Sequence, residues 1–259
     1  MSLDLHTARA LLEWQIELGV DESMADTPID RFALHAAQKA TTAAGPVAPA
    51  AESSTVVDPI AHAQDAARKV TDLSGLQAAL ETYPHCELKL GARSLVFSDG
   101  NPAARVMIIG EAPGRDEDIQ GKPFVGRAGQ LLDRMFDAIG LSRRAEVAER
   151  ALYISNILPW RPPQNRDPTA EEIAMMRPFM DAHVKLAAPD LIVLMGNISC
   201  QAILGRRGIT RLRGHWTEAL GRPVLPMFHP AYLLRNPAAK REAWQDLLAI
   251  SAHLKSSPA

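Results

Sequence analysis

"RVMIIGEAPGRDED", Arg105 to Asp118, runs an apolar stretch straight into a Gly-Glu-Ala-Pro-Gly turn and then into a crowd of charge. Four consecutive apolar residues, Val106 to Ile109, fit a short strand buried on both faces. Three later runs repeat the pattern: "LYISNI" (Leu152–Ile157), "LIVLM" (Leu191–Met195) and "VLPMF" (Val224–Phe228). Helical spacing fills the gaps over Gly129–Ile139, Thr169–Leu186 and Ser199–Leu204, and again over about Lys240–Leu254. Thr169 and Glu172 sit at capping-box spacing after Pro168, which sets the start of the second of these helices. Strands alternating with helices over long connections predict an α/β fold, its parallel sheet covered on both faces.

Ligands of such sheets bind beyond the carboxyl ends of the strands. The residues that follow the four runs are therefore the candidates for chemistry: Gly110-Glu111-Ala112-Pro113-Gly114, Asn156, Gly196-Asn197 and His229-Pro230. These tips are expected to converge on one pocket.

The remaining bulk properties narrow the class. A chain of 259 residues with 47% apolar and 22% charged residues fits one catalytic-size domain plus an appendage. Its start, MSLDLHTARALLEW, is acidic where a signal peptide would be basic, and no stretch reaches the length of a membrane helix, so the expected setting is the bacterial cytoplasm, in association with the nucleoid. Residues 4–18 carry apolar positions at helical spacing, and Ala40–Pro59 is an Ala/Pro/Thr/Ser stretch that reads as a tether. The expected organisation is a helical extension over 1–39, a linker over 40–59 and a catalytic domain over 60–259.

Charge is unevenly spread. The first 100 residues hold 7 Lys/Arg against 14 Asp/Glu, and the remainder hold 21 against 16, with arginines crowded in "WRPPQNR", "GRRGITRLRG" and "LLRNPAAKR". Such clustering suggests a polyanion partner. The two cysteines, Cys86 and Cys200, lie far apart and outside any Cys-x-x-Cys pair, which argues against a disulfide framework or a self-contained zinc site. There is no G-x-G-x-x-G, no P-loop and no G-x-S-x-G, and His229 has no second His or Cys at ligand spacing.

The stretches "GEAPGRDEDIQGKPFVGRAGQLLDRM", "NILPWRPPQNRDPT" and "HPAYLLR" resemble, in order and separation, the three signature segments of the family 4 uracil-DNA glycosylases. The likeness covers roughly Cys86 to Leu247. It implies a three-layer α/β/α sandwich with a central four-stranded parallel sheet, and a monofunctional hydrolase that flips uracil out of DNA and cuts its N-glycosidic bond. Uracil-containing DNA is then the expected partner, bound by a monomer, with no membrane involved and with the N-terminal helix free to take a protein partner. Excision of other deaminated bases, hypoxanthine or xanthine, and a non-catalytic module that binds damaged DNA are the alternatives.

The same resemblance assigns roles. Glu111 and His229 are the expected catalytic pair, Glu111 near the attacking water and His229 donating to uracil O2. Asn156 would accept from N3–H and donate to O4, Phe124 would stack on the flipped base, and Glu117 would stand at the C5 edge, with Gly110 and Ala112 lining the turn. Ala112 occupies the position at which family 1 enzymes carry an aspartate, so water must be activated in another way. Arg161, Asn165, Arg166 and Arg235 are expected to grip phosphate, and Tyr232, Leu233 and Leu234 to form an apolar wedge. Family 4 members usually hold a [4Fe-4S] cluster on four cysteines; here Tyr83, Trp160 and Met176 stand at three of those positions and only Cys86 remains, so no metal and no cluster are expected.

Overall fold

Alternate residues of the four apolar runs face opposite sides of one sheet, as a period of two requires. In a computed structural model, Met107, Ile109, Tyr153, Ile192, Leu194 and Val224 join one buried cluster, and Val106, Ile108, Leu152, Ile154, Val193 and Leu225 join another. The structure describes residues 58–256. The expected N-terminal helix lies outside them, as does the expected tether apart from Asp58 and Pro59, which cap and open the first described helix.

The elements in chain order begin with α1 (Pro59–Lys69), α2 (Leu73–Thr82), α3 (Leu88–Gly91), β1 (Asp99–Gly100) and β2 (Val106–Gly110). Next come α4 (Arg115–Gln120), α5 (Arg127–Asp137), β3 (Leu152–Asn156), α6 (Ala170–Ala187) and β4 (Leu191–Met195). The chain continues through α7 (Asn197–Leu204), α8 (Ile209–Leu212), β5 (Thr217–Ala219), β6 (Arg222–Met227), α9 (Pro230–Arg235) and α10 (Lys240–Ser256). One sheet results, in the order β1-β3-β2-β4-β6-β5. The four expected strands are its parallel centre, but the sheet has six strands and is mixed, because β1 and β5 add short antiparallel edges. Two-residue and three-residue edges leave almost no periodic signal in sequence, so the four-stranded sheet that the resemblance implies covers only the parallel centre.

Helices flank the sheet. Leu76 and Leu80 of α2, Met176, Phe179 and Met180 of α6 and Ile198 of α7 pack in the first cluster, while Leu132 and Phe136 of α5 and Leu247 and Ile250 of α10 pack in the second. The capping box at α6 forms as its spacing predicts: Glu172 N–H donates to Thr169 Oγ1 at 3.2 Å, and Thr169 N–H donates to Glu172 Oε2 at 2.8 Å.

Strand order fixes where a ligand can sit. The chain leaves β2 toward β3 on one side, then returns across the sheet to β4 on the other. The carboxyl ends of β2 and β4 therefore flank a topological switch point, where the loops diverge and leave a crevice. Parallel register sets Gly110 opposite Asn156 at one side of it, and Met195 opposite Met227 at the other.

Candidate active site

A cavity of about 640 Å³ opens at these strand ends, lined by Glu111, Ala112 and Glu117 after β2, Phe124 before α5, Asn156 at the end of β3 and His229 after β6. Asn165, Arg166, Tyr232 and Arg235 also line it. Gly110 lies directly behind the wall: a Cβ on it would stand 2.3 Å from Asn156 Oδ1 and 2.6 Å from the Phe124 ring. Only a glycine lets those two side chains close over the strand end.

Asn156 is 4% exposed, and its Oδ1 is a buried acceptor that no donor satisfies among the described residues. Leaving such an atom unpaired costs about 1–3 kcal/mol, a penalty that a ligand donor removes. His229 caps α9, its Nδ1 accepting from Ala231 N–H at 3.2 Å. A ring whose Nδ1 accepts carries its proton on Nε2 when neutral. Burial, aided by the charge of Arg235, pushes the His229 pKa down to about 4, so near neutral pH the ring is an uncharged Nε2–H donor. It stacks beside Phe124, the ring centroids 5.4 Å apart and inclined by 30°.

Glu111 is a different kind of group. Burial, reinforced by the nearby Asp167 charge and opposed by Arg207, raises its pKa to about 7. A carboxyl poised there is a stronger base than an ordinary glutamate and still ionises at physiological pH. The amides of Ile157 and Leu158 donate to the carbonyls of Gly110 and Glu111 at 3.0 Å, which ties the turn after β2 to the one after β3.

Phe124 adopts φ of +54°, a left-handed conformation that costs a non-glycine residue on the order of 1 kcal/mol. The surroundings hold it there. Glu117 Oε1 accepts from the amides of Val125 and Gly126, both at 2.9 Å, and its Oε2 accepts from Gly114 N–H at 3.1 Å. The Glu117 carboxylate, expected at the base edge, thus lines the cavity while being spent on three backbone amides. Asp118 is buried and accepts from Arg93 N–H and Ser94 N–H, while Asp116 is exposed.

The expected DNA-contacting residues divide. Tyr232 is half-buried and Arg235 exposed at the cavity rim. Leu233, expected in the wedge, is fully buried with Leu131, Phe228 and Ala243, because the α9 turn points it inward. Leu234 packs on that cluster outside the cavity lining. Arg166 makes a two-pronged ion pair with Glu172 at 2.6 and 2.9 Å, so its guanidinium is already engaged. Arg161 is not among the lining residues but donates to Oδ1 of Asn165, which is, at 2.8 Å. Asp167 and Arg207, whose charges act on Glu111 and which line the same cavity, carry no signal of this in the sequence: both stand in quoted stretches, "NRDPT" and "GRRGI", but nothing in their spacing places them at the same cavity as Glu111.

The residues at the family's cluster positions do not fit a four-thiolate cluster. Tyr83, Cys86, Trp160 and Met176 are each at most 3% exposed and belong to one apolar cluster. Tyr83 Oη donates to Pro59 O at 2.7 Å and its ring packs on Phe179, while burial raises the Cys86 thiol away from the thiolate form.

Residues 97–248 match the Uracil DNA glycosylase superfamily. The chain is similar to the type-4 uracil-DNA glycosylase of Thermotoga maritima, 42% identical over 154 residues that cover 58% of this chain and 77% of that protein. It is also similar to the type-4 enzymes of Archaeoglobus fulgidus, at 38% over 64% of this chain and 84% of the relative, and Saccharolobus solfataricus, at 35% over 67% and 82%.

Proposed function

Because the chain belongs to the Uracil DNA glycosylase superfamily, we propose that it hydrolyses the N-glycosidic bond of deoxyuridine in DNA and leaves an abasic site. The observation that carries the reading is the buried, unsatisfied Asn156 Oδ1 in the same cavity as a neutral His229. Uracil offers N3–H to that acceptor and O4 to the Asn156 amide group, whereas cytosine reverses both partners. Discrimination thus rests on the mismatched groups cytosine would leave buried.

A base stacked in duplex DNA is out of reach, so the nucleotide is flipped into the cavity, where the Phe124 ring supports it. Cleavage of C1′–N1 leaves the electron pair on N1 and O2 of uracil, and His229 Nε2–H donates to O2 as charge develops there. The sugar carbon gains positive charge, and water adds to C1′ while Glu111 takes its proton. A neutral histidine suits the donor's task because it strengthens its hydrogen bond in the transition state without requiring a prior proton. No lysine stands among the described residues lining the cavity, which supports hydrolysis rather than Schiff-base chemistry.

Arg235 and Tyr232 at the rim support DNA contact, which is indifferent to flanking sequence where it goes through phosphate. We take the protein to act as a monomer without an iron-sulfur cluster. Incubation with an oligonucleotide carrying one uracil, followed by alkali, tests the function: strand breaks at uracil alone are expected, and intact DNA retained by the protein would indicate a binding module instead. Breaks at hypoxanthine or xanthine at a comparable rate would replace uracil selectivity with a broader one.

A further inference from the structure

We infer that Arg143 is a positioning residue for base excision, holding Phe124 in the pose that receives the flipped base. The inference rests on the proposed function and extends it to a side chain outside the cavity.

The Arg143 side chain is 8% exposed and uses its guanidinium as a four-way junction. Its Nη1 donates to Pro123 O at 2.9 Å and its Nη2 to Phe124 O at 3.0 Å. Its Nε donates to Asp133 of α5 at 2.8 Å, and Nη1 also reaches Asp99 of β1 at 3.2 Å. The planar fork binds two successive carbonyls in fixed directions, which a lysine ammonium cannot reproduce. The residue before it is anchored beside β3, since Ser142 N–H donates to Arg150 O and Ser142 O accepts from Leu152 N–H.

These contacts fall on a residue that needs them. Phe124 holds a left-handed backbone, and such conformations persist only where the surroundings over-determine them. Glu117, which lines the cavity, takes the amides of Val125 and Gly126, and Arg143, which does not line it, takes the carbonyls of Pro123 and Phe124. Gly129 admits the arrangement, because a Cβ there would stand 1.7 Å from Phe124 O. With Arg143 removed, the carbonyls are freed, Phe124 relaxes toward ordinary backbone angles and its ring leaves the wall it shares with Asn156 and His229.

A double-mutant cycle on single-turnover excision from a single-uracil oligonucleotide tests this. Arg143→Lys is expected to slow excision about tenfold while affinity for abasic DNA stays within about twofold. In a Phe124→Ala background the same substitution is expected to change the rate by less than about twofold, because no ring remains to be positioned. Equal losses in both backgrounds, or a wild-type rate for Arg143→Lys, would overturn the role. Should Arg143→Lys fail to fold, Asp99→Asn weakens the same junction, and its smaller loss must likewise vanish in the Phe124→Ala background. An inactive wild-type protein would instead remove the proposed function.

Discussion

Gly110 and Asn156 stand so close at the paired ends of β2 and β3 that a single Cβ on the glycine would lie 2.3 Å from Asn156 Oδ1. The same Cβ would press on the Phe124 ring at 2.6 Å. Gly110→Ala is therefore expected to displace the two residues proposed to face the base and to lower the excision rate by about a hundredfold or more. Circular dichroism should show the sheet retained. A rate within a few-fold of wild type would mean that the cavity is more pliable than this packing allows.

Asn156 carries a second expectation, because its buried Oδ1 has no donor among the described residues. Asn156→Leu removes the unpaired oxygen and should raise stability by about 1 kcal/mol, read as a higher denaturant midpoint, while abolishing uracil excision. Asn156→Asp keeps the shape, loses the donor proposed for O4 and should also cut excision strongly. A destabilised Asn156→Leu would show that the oxygen is satisfied in solution.

Glu111 and His229 predict the pH profile. The Glu111 carboxyl must be ionised to accept a proton, and burial with the Asp167 charge raises its pKa to about 7, so excision should increase as pH rises from about 6 to 8 and then level off. His229, pushed down to about 4, stays neutral throughout and adds no limb in that range. The raised Glu111 pKa also makes folding stability fall as pH climbs from the ordinary glutamate value toward about 7. Glu111→Gln should thus flatten the rate profile and, at about pH 8, stabilise the protein by on the order of 2 kcal/mol after allowance for solvent screening. A profile unchanged by Glu111→Gln would assign the base elsewhere.

The contrast between these residues and Arg143 explains what the sequence made legible. The parallel centre of the sheet announced itself through four apolar runs, and strand-end logic then collected Glu111, Asn156 and His229, because a parallel sheet brings its carboxyl ends together whatever the loops contain. The edges β1 and β5 were too short to show a period. Arg143, Asp167 and Arg207 act through space across long connections, and an arginine that binds carbonyls looks in sequence like any solvated arginine. The left-handed Phe124 was equally hidden, since its conformation is imposed by Glu117, Arg143 and the room left by Gly129 rather than by local preference.

His229 joins two tasks that substitution can separate. Its Nδ1 caps α9, and its Nε2–H is the proposed donor to uracil O2. His229→Asn retains a capping oxygen, whereas His229→Ala removes both functions. Both variants should lose about a hundredfold or more in excision rate, as removal of a preorganised donor does, but only the alanine variant should also lose about 1 kcal/mol of stability. Equal stability losses would mean that the cap contributes nothing.

The α9 turn supplies the last expectation, because its adjacent residues Tyr232 and Leu233 face different environments. Leu233 is fully buried among Leu131, Phe228 and Ala243, so Leu233→Ala should destabilise the protein by about 2–4 kcal/mol, with rates per folded molecule affected only through the displaced turn. Tyr232 lines the cavity and is half-buried, its ring 4.9 Å from that of Phe228. Tyr232→Ala should lower affinity for uracil-containing duplex more than it lowers stability, since an apolar side chain at the rim can fill the space a flipped nucleotide vacates. Measuring both variants by thermal melts and by duplex binding separates the turn's inner face from its outer one. If Leu233→Ala weakened DNA binding without a stability loss, the leucine would have to leave its core position on contact with DNA, and the turn would be a moving part rather than a fixed rim.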